Sequence, residues 1–229
     1  MIILPSKINY LRNKKNMEVI DLTHTLEENM PAYPGEESPH LEKKYNHQSN
    51  GFQVIRLTMV SHTGTHLDTP AHFFDNGLTT DKMPLSNFYG KGLLIDCSGF
   101  SENEVIDVDF VKKYNADLAV ADFAIIYSGW SKHWGDDKYY GSFPVLSKEA
   151  CSFLLTFNLK GIGLDVISID SIASTDFENH NLVLGSGLII IENLTNLENV
   201  LNKSFEFAAF PLKIKDGDGS PVRAVAILR

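Results

Sequence analysis

Ser61-His62-Thr63-Gly64-Thr65-His66-Leu67-Asp68-Thr69-Pro70-Ala71-His72 gathers three of the chain's eight histidines into eleven residues, with an aspartate between the second and third. The spacing of His62 and His66 would suit one face of a helix, but Gly64 between them and Pro70 just beyond work against that conformation. Extended backbone accounts for more. Positions 62, 66, 68 and 72 share parity, so in an extended stretch their side chains leave from one face. The chain will not stay straight through Gly64 and Pro70. The expectation is therefore a bent strand and loop lining one pocket, with Gly64 allowing close backbone approach and Pro70 fixing the turn that presents His72.

On the N-terminal side, Phe52, Val54, Leu57 and Val60 alternate with polar partners and predict a strand over 52–60 that delivers the chain to His62. Before it, Met30-Pro31-Ala32-Tyr33-Pro34-Gly35 is a turn-rich loop, and Val19-Ile20-Asp21-Leu22 reads as the first core strand. On the C-terminal side, short apolar runs predict strands over 92–97, 119–127, 161–169, 187–192, 205–213 and 222–228. The clearest helix spans Ser147 to Asn158. Ser147 is its N-cap, Glu149 lies in its first turn, and Ala150, Phe153, Leu154 and Phe157 recur at helical spacing. Many short strands with two or three helices give an α+β class with a largely β core. No linker or internal repeat divides the chain. Residues 1–16, with Lys7, Arg12, Lys14 and Lys15 after a short apolar run, read as a basic extension, and 17–229 as one domain.

Composition narrows the function. A hydrophobic fraction of 43% supports a full core. A net charge of −9 argues against nucleic acid as a partner, since phosphate binding needs clustered Lys and Arg. No run approaches the roughly 18 apolar residues of a membrane span, and no secretory leader is recognisable. Cys97 and Cys151 both sit in apolar runs outside any Cys-x-x-Cys pair, so they read as buried packing residues in a reducing cytoplasm. Trp130, closing an apolar strand, reads as core. Asp216-Gly217-Asp218-Gly219 lacks the glutamate a calcium loop needs at its twelfth position and reads as a polar turn. No Gly-x-Ser-x-Gly elbow is present.

The donor mixture in residues 62–72, neutral nitrogen with anionic oxygen, suits a divalent ion such as zinc or manganese. Two distant residues are candidates to complete the set. His180 precedes the apolar run Leu182-Val183-Leu184. Glu192 ends Leu188-Ile189-Ile190-Ile191, where a carboxylate is costly unless a countercharge compensates it, as a metal would.

The same residues carry a resemblance. His62-Thr63-Gly64-Thr65-His66-Leu67-Asp68-Thr69-Pro70-Ala71-His72 resembles the His-x-Gly-Thr-His-x-Asp-x-Pro-x-His signature of the putative cyclase family of metal-dependent hydrolases, which includes bacterial kynurenine formamidase and isatin hydrolase. Ile20-Asp21-Leu22-Thr23-His24, Tyr33-Pro34-Gly35, Tyr127-Ser128-Gly129-Trp130 and the run Gly163 to Asp170 are also similar to that family. So are His180 through Leu194, Phe210 through Lys213, and Asp218 through Ala224. The resemblance spans roughly 17–229 and implies a compact β/β/α fold of the swivelling type, found as a homodimer or homotetramer.

It further implies one or two divalent ions per chain, zinc or manganese, held by His62, His66 and Asp68, with Asp68 bridging to a second ion on His180 and Glu192. His72 falls where the family has its proton-transferring histidine. The implied reaction is hydrolysis of a small-molecule amide, an aryl formamide such as N-formylkynurenine or a cyclic amide or imide. Such an ion brings the pKa of bound water to about 7 and gives a hydroxide to attack the carbonyl, while His72 protonates the leaving nitrogen. Tyr33 stands where kynurenine formamidases have tryptophan and still offers a ring to stack on substrate. The residues alone also suit a structural metal site or a metal-dependent lyase or dehydratase.

Overall fold

The strands of this protein arise from short apolar runs separated by glycine, proline and asparagine turns. A computed structural model describes residues 17–229, and the basic extension read in residues 1–16 lies outside the described residues. In chain order the strands are β1 (Glu18–Asp21), β2 (His40–Tyr45), β3 (Val54–Thr58), β4 (His66–Asp68), β5 (Tyr89–Asp96), β6 (Val105–Ile106) and β7 (Phe123–Tyr127). They continue with β8 (Val145–Leu146), β9 (Gly161–Leu164), β10 (Ile189–Glu192), β11 (Phe205–Ala208), β12 (Gly219–Pro221) and β13 (Val225–Leu228). One nine-stranded sheet has the order β1–β13–β11–β5–β7–β9–β10–β4–β12. The α+β class with a largely β core is what the structure has.

The pairings β5–β7, β7–β9 and β9–β10 are parallel, and the strands on either side of this block run antiparallel. Strands β9 and β10 are buried along their whole length, the near-continuous apolar run expected of parallel strands covered on both faces. Period-two alternation sends their side chains to two cores. Ala124, Ile126 and Ile190 join the core on the helical face, which also holds Trp130, Leu154 and Val183. Phe123, Ile125, Ile189 and Ile191 join the opposite core with Leu67 and Phe207. Because Leu67 faces that second core, His66 and Asp68 on the same strand leave toward the helical face. Glu192, two residues beyond Ile190, leaves on the same side.

The predicted helix is present as Lys148–Leu154, with Ser147 Oγ accepting from the Ala150 N–H at 3.0 Å. It buries Ala150, Cys151 and Leu154 and stops short of Asn158, as Thr156 Oγ1 bonds back to the Phe153 carbonyl at 2.7 Å. Several predicted strands are shorter than their apolar runs. The strand at 119–127 starts at Phe123 because Asn115–Leu118 is helical. That at 161–169 ends at Leu164, where the buried Asp165 carboxylate accepts from Ser128 N, Ser128 Oγ and Trp130 N. The run at 205–213 breaks after Ala208, leaving Pro211 as an isolated bridge to Val222. Helix Glu178–Gly185 was not foreseen. Its N-cap is Phe177 in a left-handed conformation with no capping side-chain bond, so it lacks the usual start signal. The predicted strand over 52–60 exists as β3, but it pairs only with β2 and is exposed throughout. Among the described residues no helix is long and apolar enough to cross a membrane.

His24 is a half-buried histidine with a testable consequence. Its ring stacks on Trp134 (3.8 Å between centroids, 8° between planes), and Trp134 meets Tyr139 edge-on at 5.0 Å. The buried Nε2 has no hydrogen-bond partner, and burial lowers the pKa to about 4. The folded value lies below the unfolded one of about 6.5, so the folded chain binds fewer protons between the two. Stability is therefore complete above pH ~6.5 and declines as pH falls toward 4, by at most about 3 kcal/mol. In thermal unfolding, His24→Phe should keep the stack and flatten the fall in Tm across that window. Equal slopes in the two proteins would remove His24 from the acid response.

Candidate metal centre

The sheet register assembles the centre. Strand β4 pairs antiparallel with β10, placing Glu192 opposite His66 and Ile190 opposite Asp68. Helix Glu178–Gly185 covers the same face and carries His180 toward it. The four side chains converge. His66 Nε2 lies 3.3 Å from Asp68 Oδ1 and 3.5 Å from Glu192 Oε2. His180 Nε2 lies 3.5 Å from Glu192 Oε1 and 3.8 Å from Asp68 Oδ2. His66, Asp68, Glu192 and His180 are all buried.

The outward nitrogen of each of these histidines is already engaged. His66 Nδ1 is 2.8 Å from the Gly64 carbonyl, which makes it the donor there and turns Nε2 toward Asp68 and Glu192. Asn193 Nδ2 donates to the same carbonyl at 2.8 Å, and the buried Tyr139 hydroxyl donates to Asn193 Oδ1 at 2.6 Å. His180 Nδ1 is 2.7 Å from Asp170 Oδ2, and Asp170 also accepts from the Asn179 and His180 backbone N–H groups. Metal-ligating histidines characteristically have such a second partner. Burial alone would lower the pKa of His180, but Asp170, Glu192 and Asp68 outweigh it and raise it to about 10. Asp170→Asn should weaken metal affinity by about 10- to 100-fold with the fold intact, read by titration against a chelator of known affinity. Unchanged affinity would show that the Asp170 charge is not felt at the ion.

His62 and His72 approach Asp68 from the other side. The segment before β4 turns through Gly64 at φ +64°, where a Cβ would meet Met30 Cε at 2.8 Å. Pro70 opens a single 3₁₀ turn ending at His72. The 62–72 segment is thus a three-residue strand flanked by turns, and the shared parity holds as a shared strand face only for His66 and Asp68. His62 Nδ1 lies 2.6 Å from Asp68 Oδ1 and its Nε2 2.9 Å from Asp218 Oδ2. His72 stacks beside it with 4.0 Å between ring centroids, its Nδ1 3.6 Å from Asp218 Oδ2. Burial lowers the His62 pKa, but Asp68 and Asp218 override that and lift it to about 10. The same bond to His62 holds the Asp218 carboxyl well below its usual range. His72 has its pKa lowered, chiefly by burial, against an opposing pull from Asp68.

Two overlapping donor groups result, His62–Asp68–His72 and His66–Asp68–Glu192, each with ligand atoms within 4.8 Å of one another. Asp68 belongs to both. Among the described residues no lysine or arginine lines the surrounding cavity, so the buried Asp68 and Glu192 have only imidazoles for countercharge. Buried carboxylates without cationic partners are costly, and a divalent ion among these nitrogen and oxygen donors relieves that cost. The residues fit the implied metal.

The cavity has a volume of about 650 Å³, within the usual range for small-molecule sites. Tyr33, Phe73 and Phe177 supply aromatic walls. Tyr33, read from sequence as a ring that could stack on substrate, lines the cavity, its pKa raised by burial and then by Glu192 and Asp170. Asp218, Asp170 and Phe177 were not singled out from sequence. Asp218 sits in the polar turn as expected, but that turn runs into β12, which pairs with β4 and so brings the carboxylate to His62. Gly219 is required there, since a Cβ would lie 2.6 Å from the His62 ring. Trp130, Cys97 and Cys151 are buried core residues, as read.

Comparison with known proteins agrees with this arrangement. Residues 20–171 match the family described as Putative cyclase. An uncharacterized protein of Methanocaldococcus jannaschii is 38% identical over 216 residues, covering 93% of this chain and all of that one. The kynurenine formamidase of Bacillus cereus is 30% identical over 217 residues, covering 92% of this chain and 98% of its own. Isatin hydrolase A from Labrenzia aggregata superposes with a TM-score of 0.83 at 26% identity, covering 93% of this chain and 94% of the other. With its signature segment folded into a shared donor set and 93% of its length aligned to a 38% identical relative, the chain belongs to the Putative cyclase family.

Proposed function

We propose that this protein is a metal-dependent hydrolase that cleaves the C–N bond of an amide, an aryl formamide such as N-formylkynurenine or a cyclic amide or imide. The observation that carries the reading is the convergence of His66, His180, Asp68 and Glu192 on one point, with His72 beside them and facing the cavity. The kynurenine formamidase and isatin hydrolase relatives support the same class. His62, His66, Asp68, His180 and Glu192 would hold one or two ions, zinc or manganese, which supply positive charge that acidifies a water and polarises a carbonyl.

The chain's own residues do the rest. Tyr33, Phe73 and Phe177 hold the aryl ring, fixing the carbonyl over the donor set. His72, kept neutral by its lowered pKa, takes a proton from the attacking water and returns it to the departing nitrogen as the C–N bond breaks. Asp218, 3.6 Å from His72 Nδ1, steadies the ring as it gains charge. Elemental analysis of gently purified protein, followed by assays with N-formylkynurenine, isatin and cyclic imides, tests the reading. Bound divalent metal and turnover of at least one amide are expected. No metal and no turnover with zinc or manganese supplied would overturn it.

The working form in this proposal is a cytoplasmic homodimer or homotetramer. In the β2–β3 hairpin, Leu41 pairs with Leu57 and Lys43 with Ile55, and Ile55 and Leu57 are exposed on one face. A two-stranded hairpin is marginal in water by itself, and a second copy covering this face would stabilise it. Leu57→Glu should shift the sedimentation coefficient toward that of a monomer, and an unchanged distribution would place the interface elsewhere.

A further inference from the structure

We infer that the cavity selects aryl amides whose end remote from the scissile bond is cationic, and that it discriminates against a carboxylate there; the inference rests on the amide-hydrolase reading and narrows its substrate class. The charged side chains lining the cavity, apart from its histidines, are Glu36, Asp68, Glu192 and Asp218, and none is a lysine or arginine. Asp68 and Glu192 belong to the donor set and are spent against the ion's charge. Asp218 is engaged by His62 and by Ser61 Oγ at 2.9 Å. Glu36 is different. Among the described residues it has no ion pair, and it is exposed.

Its position follows from local structure. Glu36 closes the turn Tyr33-Pro34-Gly35-Glu36, its N–H bonded to the Tyr33 carbonyl at 2.9 Å, with Gly35 supplying φ +99°. The carboxylate is thereby tied to the same turn as the Tyr33 ring. An aryl group bound against Tyr33 with its amide at the donor set has its far substituent directed to this rim. A cation there meets Glu36 and an aromatic face together. A carboxylate meets Glu36 and the field of a chain with net charge −9, and no described lysine or arginine lines the cavity to receive it. Because Glu36 is exposed, the preference should shrink as salt screens it.

Three formamides of similar size test this on the metal-loaded full chain: formanilides carrying para-ethyl, para-aminomethyl and para-carboxymethyl groups. The expected order of kcat/KM is ammonium, neutral, carboxylate, with the extremes about tenfold or more apart at low ionic strength and closer at high salt. Glu36→Gln should shrink the ammonium-to-carboxylate ratio, and Glu36→Lys should invert it. Calorimetric binding of the corresponding anilines gives a readout independent of turnover and should follow the same order. If none of the three is hydrolysed, the aryl-formamide branch of the amidase reading fails and the binding order still decides the charge preference. A carboxylate handled as well as the ammonium, or a ratio untouched by both Glu36 variants, would overturn the inference.

Discussion

His72→Ala should retain the metal and lose about 10²- to 10⁴-fold in turnover, the span typical of a missing general acid–base group. The two effects separate because of where the ring sits. His66, His180, Asp68 and Glu192 converge on one another without it, and their orienting partners, the Gly64 carbonyl and Asp170, are also independent of it. His72 is attached through the 3₁₀ turn after the strand, its side chain is 32% exposed, and its neighbours are the His62 and Phe73 rings and Asp218. A lowered pKa keeps it neutral near pH 7, so it can accept a proton and then give it up. A metal centre that only held the fold together would have no use for such a group, and the substitution would then alter stability alone. Elemental analysis and steady-state kinetics on one preparation distinguish the cases. Full metal with full turnover would remove His72 from the chemistry, and loss of metal together with turnover would make it a ligand.

What the sequence makes legible follows from the range of the interactions involved. Local patterns are readable: Ser147 caps its helix as its chemistry requires, and Gly64 and Pro70 bend the chain where extended geometry could not continue. Pairings between distant segments are not. Nothing in the apolar run ending at Glu192 states that it lies antiparallel to β4 in the register that sets Glu192 opposite His66; the cost of a carboxylate there made it a candidate ligand, but not its strand partner. The length of a strand is also set from outside it, as where Asp165 ends β9 by accepting hydrogen bonds from the 128–130 loop. His180 illustrates the limit. Its helix has buried Asn179 and His180 one turn before buried Val183 and Leu184, a helical spacing present in the sequence but too short, and too poorly capped, to stand out. Asp218 was hidden because a polar turn explains an aspartate equally well, and only the β4–β12 pairing turns it toward His62.

Asp68→Asn should act on the metal itself, and on turnover only through it. The two donor groups, His62–Asp68–His72 and His66–Asp68–Glu192, share this one carboxylate, so its loss weakens both. Losing a group that merely orients a ligand costs about 10- to 100-fold in affinity, so a ligand common to two sites should cost more than about 100-fold. The asparagine preserves size but presents a neutral amide to His62 Nδ1 and His66 Nε2, which lie 2.6 and 3.3 Å from Asp68 Oδ1. Stability supplies a second reading of the same loss. An ion present at 100 times its dissociation constant stabilises the folded state by about 2.7 kcal/mol, worth roughly 5–10 °C in Tm for a domain of this size. A chelator should therefore lower the Tm of the native protein by several degrees and leave that of Asp68→Asn nearly unmoved. His72→Ala, by contrast, should respond to the chelator as the native protein does. The pair of variants thus divides the 62–72 segment between holding the ion and moving the proton. An Asp68→Asn protein that keeps its metal and its chelator response would take the shared carboxylate out of the centre and leave the two donor groups as separate sites.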